Sequence, residues 1–151
     1  DRRIEYTDDS GKLVALPICQ QDILVSEGEH CAVFLDAQSR PMYVSVLKDR
    51  FERRQSGLSD AELGELWRLP MAEAFAHHAG GFVDARVNAG SSQNVAHVHL
   101  KVWVREDDFI ERWGDDANFK ALREASRLRK KARNAASASE GVGDDTNPAA
   151  E

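Results

Sequence analysis

The chain is poor in cysteine, lacks a long apolar run and has no excess of basic residues, and each shortage excludes a class of protein. Cys19 and Cys31 lack CxxC spacing and lie in apolar surroundings, which favours reduced core residues over a disulfide framework or a zinc cluster. The apolar runs at 13–19 and 31–35 are far shorter than the roughly 20 residues of a membrane span. With no secretory signal ahead of the domain, we expect a cytoplasmic protein that does not enter a membrane.

The charge distribution argues against a general nucleic-acid surface. The formal net charge is −6, whereas binding to a phosphate backbone depends on clustered Lys and Arg. One segment is nevertheless basic, with Arg123, Arg127, Arg129, Lys130, Lys131 and Arg133. A basic helix end usually complements the helix dipole, so we do not expect nucleic acid as a partner.

Length and composition predict one domain with appendages. A chain of 151 residues with 42% hydrophobic residues can build a single core. We divide it into an N-terminal extension at 1–20, the main domain at 21–113 and a C-terminal helix at 114–134. The acidic tail at 135–151 is expected to be disordered, because Ala, Ser, Gly and Asp bury too little apolar area to offset the entropy of ordering.

The periodicity of the main domain predicts an antiparallel α+β fold. Short strands at 23–26 and 31–35 flank a glycine turn, and a third strand follows Pro41. Ser59 and Glu62 form a capping-box pattern that begins a helix, which Pro70 should kink or divide. Strand patterns return at 82–87 and 94–104, and a helical period follows from Phe109.

The last strand carries the most informative pattern. Polar and apolar residues alternate from Asn94 to Val104, which places His97, His99, Lys101 and Trp103 on one face of a strand. Two histidines are too few for a zinc site, and Lys101 would repel a cation. His77 and His78 point in different directions as neighbours on a helix, so no metal ion is expected.

A phosphate site fits this face better than a metal site. The polar loop 90–94 offers backbone amides, hydroxyls and carboxamides beside the two histidines. A neutral imidazole can attack phosphorus and form a phosphoramidate. The plain alternative is a row of polar side chains on a solvent-facing strand, and the residues alone leave both interpretations open.

The stretch Asn88-Ala89-Gly90-Ser91-Ser92-Gln93-Asn94-Val95-Ala96-His97-Val98-His99-Leu100 resembles the segment leading into the active-site strand of the histidine triad superfamily. The family pattern is Asn-x-Gly, a polar loop with Gln-Ser-Val, and then three histidines alternating with apolar residues. Upstream, Val33-Phe34-Leu35-Asp36 is similar to the family's Ala-Phe-x-Asp segment, and the helix from Ser59 falls where the family has its long helix. The resemblance covers about 23–104.

This resemblance implies a five-stranded antiparallel sheet, commonly dimerised into ten strands, that binds nucleotides and hydrolyses or transfers nucleotidyl groups. We therefore expect a nucleotide or nucleotide conjugate and a second copy of the chain as partners, and no cofactor. His99 would be the nucleophile, and His97 would fix its orientation. The remaining contacts implied by position are Asp36 to ribose hydroxyls, Asn88 near the phosphate, and Gln93 and Asn94 to phosphate oxygens.

Three positions depart from the family pattern. Lys101 replaces the last histidine of the triad, Met42 stands where many members have an upstream histidine, and Asn94 replaces the serine of Gln-Ser-Val. Lysine can hold a phosphate oxygen but is a poor proton donor near pH 7 unless it is strongly desolvated. Two hypotheses follow: a nucleotidyl hydrolase or transferase in which Lys101 stabilises the transition state, or a nucleotide-binding or interaction module that has lost turnover.

Overall fold

The α+β fold and the five-stranded antiparallel sheet agree with the expectation, and the described residues form three α-helices where one long helix and one C-terminal helix were expected. The computed structural model describes residues 5–7, 10–15, 23–87 and 97–140. The predicted phosphate-contacting residues Asn88, Gln93 and Asn94 lie outside these ranges, as do Cys19 and the tail after residue 140.

The main sheet is built from β3 to β7 in the order β3-β4-β5-β7-β6. Its strands are β3 (Leu24–Glu27), β4 (Cys31–Leu35), β5 (Met42–Leu47), β6 (Asp84–Arg86) and β7 (His99–Trp103). All neighbouring pairs are antiparallel. The strand predicted from residue 94 begins at His99, so the sheet's central pair is β5 with β7.

Three helices follow the capping and periodicity signals of the sequence. They are α1 (Asp60–His77), α2 (Glu106–Trp113) and α3 (Ala117–Glu140). Asp116 accepts a hydrogen bond from the backbone N–H of Phe119 at 2.9 Å, which satisfies one of the free amides in the first turn of α3. Within the described residues, no helix is both long and apolar enough to cross a bilayer.

β4 and β5 are buried along their whole length, so both faces of the sheet are covered at these two strands. One face packs on α1 and the first turns of α2 and α3, with Leu66, Phe109 and Phe119 at its centre. Val98, Leu100, Val102 and Val104 join this core, as their alternation predicts. The opposite face has a smaller cluster: Ala32, Phe34, Met42, Val44 and Val46, with Phe51 and Trp103 packed against it.

Cys31 is a free, buried thiol in the larger core. Burial, followed by the nearby Glu65 and Glu62 carboxylates, raises its pKa to about 12. A thiol in this environment stays protonated and unreactive near neutral pH, which agrees with the expectation from sequence that it is a reduced core residue.

Two helices differ from the sequence-based expectation, α3 in its length and α1 in its continuity. α3 continues to Glu140, six residues beyond the predicted end at Asn134 and into the segment expected to be disordered. The Ala and Ser residues of 135–139 explain the extension, because alanine has the highest helix propensity. α1 is not divided at Pro70, because Leu66 and Ala74 on either side are buried against the sheet and hold both halves in place.

The N-terminal extension contains a separate hairpin. Strands β1 (Glu5–Thr7) and β2 (Leu13–Ala15) pair only with each other among the described residues. Gly11 in the turn has φ 82°, a conformation that glycine adopts without steric cost.

The capping box at the start of α1 predicts a measurable contribution to stability. The Ser59 side chain accepts from the Glu62 backbone N–H at 3.1 Å, and Glu62 accepts from the Ser59 N–H at 2.9 Å. Ser59→Ala is expected to lower the free energy of unfolding by about 1 kcal/mol, measured by urea denaturation. Ser56→Ala, at an exposed serine of the preceding 3-10 helix, should change it by less than about 0.5 kcal/mol.

Candidate functional site

The candidate site lies on the face of the sheet opposite α1. His99 and Lys101 on β7 pair with Val46 and Val44 of β5, which belong to the smaller core cluster. On the other side of β7, Arg86 of the edge strand β6 pairs with Lys101. The alternation therefore brings the imidazole and the ammonium to one face, as the sequence predicts.

His99 is held in one tautomer by the backbone. Its Nδ1 lies 3.0 Å from the carbonyl oxygen of His97, and because a carbonyl only accepts, Nδ1 must carry the proton. Burial, assisted by the positive charge of Lys101, lowers the pKa of His99 below 6.5 despite the opposing effect of this hydrogen bond. The ring is therefore neutral at pH 7, and Nε2 has a lone pair available for attack.

His97 contributes its backbone to this geometry and its ring to the packing. The ring is fully buried, with Nε2 donating to the Leu47 carbonyl at 2.7 Å and Nδ1 accepting from the Glu52 N–H at 3.2 Å. It also stacks on Phe51 with 5.7 Å between ring centroids. Both ring nitrogens are thus engaged by backbone groups, and burial lowers the pKa of His97. The resemblance implies that the carbonyl and the ring of His97 help to fix the orientation of His99; in the structure the carbonyl accepts the bond from His99 Nδ1, whereas the ring bonds to the backbone of Leu47 and Glu52.

Lys101 is a half-buried cation two residues after His99. Burial and then the neighbouring Arg40 lower its pKa, while Asp36 opposes them. Lowering this pKa makes the ammonium a better proton donor than an exposed lysine. Its neighbours are mainly positive, so the site attracts anions.

Asp36 and Arg40 form an ion pair that sequence reasoning missed. Arg40 donates from Nε to Asp36 Oδ2 at 2.8 Å and from Nη2 to Oδ1 at 3.0 Å. The backbone N–H groups of Gln38 and Arg40 also donate to Oδ2. The carboxylate that the resemblance associates with ribose is therefore engaged by its own turn. The i,i+4 spacing of Asp36 and Arg40 is the feature of the sequence that could have indicated this ion pair.

Arg40 connects this ion pair to the strand face. Its guanidinium lies 5.6 Å from the centroid of the Trp103 ring, within the range of a cation–π contact. Trp103 packs against the smaller core cluster beside Met42. A methionine at position 42 contributes to packing here, without a group that could take part in proton transfer.

His77 and His78 lie away from this face, so they do not add ligands to it. His78 bonds to the Tyr43 hydroxyl at 2.6 Å within the α1-side core, and Trp113 donates to the same oxygen at 3.0 Å. His77 lies 3.5 Å from Glu73 on α1. Among the described residues, no group of three or more His, Cys, Asp or Glu side chains could hold a metal ion.

No model of a known protein family matches this chain, and no curated protein matches it in sequence. Among solved structures, the chain is similar to the crystal structure of a zinc-bound histidine triad family protein from Mycobacterium smegmatis. The two share 21% sequence identity over 74% of this chain and 88% of the other, with a TM-score of 0.44.

Proposed function

We propose that this chain binds nucleotides and hydrolyses or transfers a nucleotidyl group at a phosphoanhydride or phosphoramidate through a nucleotidyl-histidine intermediate. The observation that carries the proposal is the Nδ1–H bond from His99 to the His97 carbonyl at 3.0 Å. This bond, with the lowered pKa of the ring, supplies a neutral, oriented nucleophile beside the Lys101 cation. The resemblance of the sequence to the histidine triad superfamily supports the same chemistry.

In the proposed first step, Nε2 of His99 attacks the phosphorus of the nucleotidyl group. A P–N bond forms, the bond from phosphorus to the leaving group breaks, and the leaving group departs with the electron pair. In the second step, water attacks the same phosphorus and releases one proton to solvent, the P–N bond breaks with its electron pair returning to Nε2, and the products are a nucleoside monophosphate and neutral His99. Lys101 stabilises the negative charge on the phosphoryl oxygens in both steps.

The leaving group determines whether an acid is needed. A polyphosphate leaves as a stable anion without protonation, whereas an amine leaving from a phosphoramidate must take up a proton. Lys101 is a candidate acid on this face, because burial lowers its pKa, but the ordinary pKa of lysine is about 10.4 and that of histidine about 6.5, so an ammonium gives up its proton less readily than an imidazolium near pH 7. We therefore expect dinucleoside polyphosphates to be used better than phosphoramidates, and Lys101→His to raise phosphoramidate turnover.

Intact-protein mass spectrometry tests the intermediate. Incubation with adenosine phosphoramidate or a dinucleoside polyphosphate, followed by rapid quenching, should add the mass of one nucleotidyl group to the wild type and to the Lys101→His variant. His99→Ala should show no adduct. His77→Ala is the matched control, because His77 lies on α1 away from the site, and it should form the adduct as the wild type does. The absence of any adduct in both the wild type and Lys101→His would refute the proposal.

A second function has support from two observations. Lys101 occupies the position of the triad's last histidine, and both oxygens of Asp36 are engaged by Arg40. These features fit a nucleotide-binding or interaction module without turnover. Ribose binding by Asp36 would require the carboxylate to share or give up its bonds to Arg40. Multiple-turnover hydrolysis that His99→Ala abolishes would exclude this alternative.

A further inference from the structure

A basic cleft lies between α3 and the turn that joins β4 to β5. It has a volume of about 300 Å³, at the lower end of the roughly 300 to 1,000 Å³ of small-molecule sites. The described residues that line it are Gln38, Arg40, Ser126, Arg129, Lys130, Arg133 and Asn134. Four are cations, and none of these described lining residues is acidic.

Specific contacts between α3 and the turn build the wall of the cleft. The Ser126 hydroxyl donates to the carbonyl oxygen of Gln38 at 3.1 Å, and Arg129 Nη2 donates to that of Ala37 at 2.9 Å. These bonds fix one face of α3 against the turn. Lys130 and Arg133 lie on the same helical face, at i,i+3 spacing, and therefore line the cleft rather than projecting away from it.

The helix dipole does not account for these cations. The favourable interaction of basic side chains with the C-terminus is confined to about the last turn of a helix. Because α3 continues to Glu140, Lys130 and Arg133 lie more than one turn before its end. Neither has an acidic partner among the described residues, so their mutual repulsion is relieved only by solvent or by a bound anion.

Arg40 links the cleft to the His99 face. It lines the cleft, holds Asp36 and contacts Trp103, and its charge lowers the pKa of Lys101. Cationic side chains therefore run from Lys101 on β7 through Arg40 to α3, with the charge of Arg40 partly balanced by Asp36. Such an arrangement suits a ligand with several adjacent negative groups better than an isolated anion.

We propose that the cleft formed by α3 and the β4–β5 turn is a second anion site that binds a polyphosphate chain, free or carried by a nucleotide. Lys130 and Arg133 bind its phosphates from the helix, and Arg40 binds from the side of the sheet. This site goes beyond the proposed function, because binding here does not depend on attack by His99.

Isothermal titration calorimetry of the full chain with inorganic tripolyphosphate at low ionic strength tests the site. The double variant Lys130→Gln/Arg133→Gln should weaken binding at least about tenfold, through the loss of two charge-assisted contacts. The matched control is Lys120→Gln/Lys131→Gln, which removes two charges from exposed positions of the same helix that do not line the cleft. It should weaken binding less than about threefold, because neither side chain lines the cleft and each acts on the ligand only through a field that solvent and salt screen.

Further measurements separate the source of the phosphate chain and the two proposals. If ATP binds with the same affinity as tripolyphosphate, and Lys130→Gln/Arg133→Gln weakens both equally, the ligand is a free polyphosphate. If ATP binds more tightly than tripolyphosphate and the double variant still weakens its binding, the chain is carried by a nucleotide. His99→Ala should bind tripolyphosphate as the wild type does, whatever its effect on turnover. The proposal is wrong if tripolyphosphate does not bind, if both double variants weaken it equally, if His99→Ala abolishes binding, or if only a single-stranded oligonucleotide binds.

Discussion

Replacing His99 by alanine is expected to lower kcat/KM for the hydrolysis of a dinucleoside polyphosphate by at least about 10³-fold, because it removes the attacking atom from the reaction. The measurement is steady-state release of nucleoside monophosphate by purified, folded protein. Added imidazole should restore part of the activity of His99→Ala, since a free nucleophile can enter the space left by the ring. A purely structural role for His99 would give no such rescue.

The pH dependence of the wild type provides an independent check on the same residue. The nucleophile is active when neutral, and burial lowers the pKa of His99 below 6.5. Activity should therefore persist as the pH falls to 6.5 and decline only as it falls through the lowered pKa in the folded protein. Lys101→Gln removes a positive charge that contributes to this lowering, so the acidic limb of its profile should move to higher pH.

Retention of full turnover by His99→Ala would contradict the proposed mechanism. The control His77→Ala changes a histidine on α1 and should keep the wild-type rate and pH profile. If both variants lose activity equally, the loss reflects general destabilisation, and the unfolding curves of the two proteins would reveal it.

The strand with His99 was predictable because its pattern is local. A period of two fixes which side chains share a face, and burial of Val98, Leu100, Val102 and Val104 against α1 confirms that alternation. The capping box at Ser59 was predictable for the same reason, since both of its hydrogen bonds lie within four consecutive residues.

Features that depend on tertiary contacts were not predictable to the same degree. The sequence predicts β5 as a strand but not that all six of its residues are buried, which follows from a second apolar cluster on the face opposite α1. Pro70 predicts a kink or a division of the helix, and α1 is not divided, because Leu66 and Ala74 on either side of it are buried against the sheet. The cleft beside Arg40 depends on where α3 crosses a turn some 90 residues earlier in the chain, as the Arg129 to Ala37 bond shows.

The candidate site shows the same division between local and long-range information. The sequence identifies His99 and Lys101 as neighbours on one face, and the fold confirms this arrangement. It does not reveal that both oxygens of Asp36 are engaged by Arg40, or that the ring of His97 is bonded to the carbonyl of Leu47 at the end of β5 and to the N–H of Glu52 in the segment after it. These bonds indicate that Asp36 and His97 stabilise the site, whereas His99 is the residue proposed to react.

His97→Ala is expected to lower the free energy of unfolding by about 3 kcal/mol, through loss of two hydrogen bonds to backbone groups and of buried ring volume. The ring is fully buried, and its removal deprives the Leu47 carbonyl and the Glu52 N–H of their bonds to it. In urea denaturation, His97→Gln should lose less, because its side-chain amide can still donate to the Leu47 carbonyl.

The activity of folded His97→Ala then distinguishes positioning from catalysis. Residue 97 retains a backbone carbonyl whatever its side chain, so the hydrogen bond from His99 Nδ1 can form in the variant. We expect kcat per folded molecule to fall less than about tenfold, compared with about 10³-fold or more for His99→Ala. If His97→Ala and His99→Ala lose kcat equally at a temperature where both are folded, the His97 ring takes part in the reaction. If the free energy of unfolding of His97→Ala equals that of the wild type, the ring has no structural role.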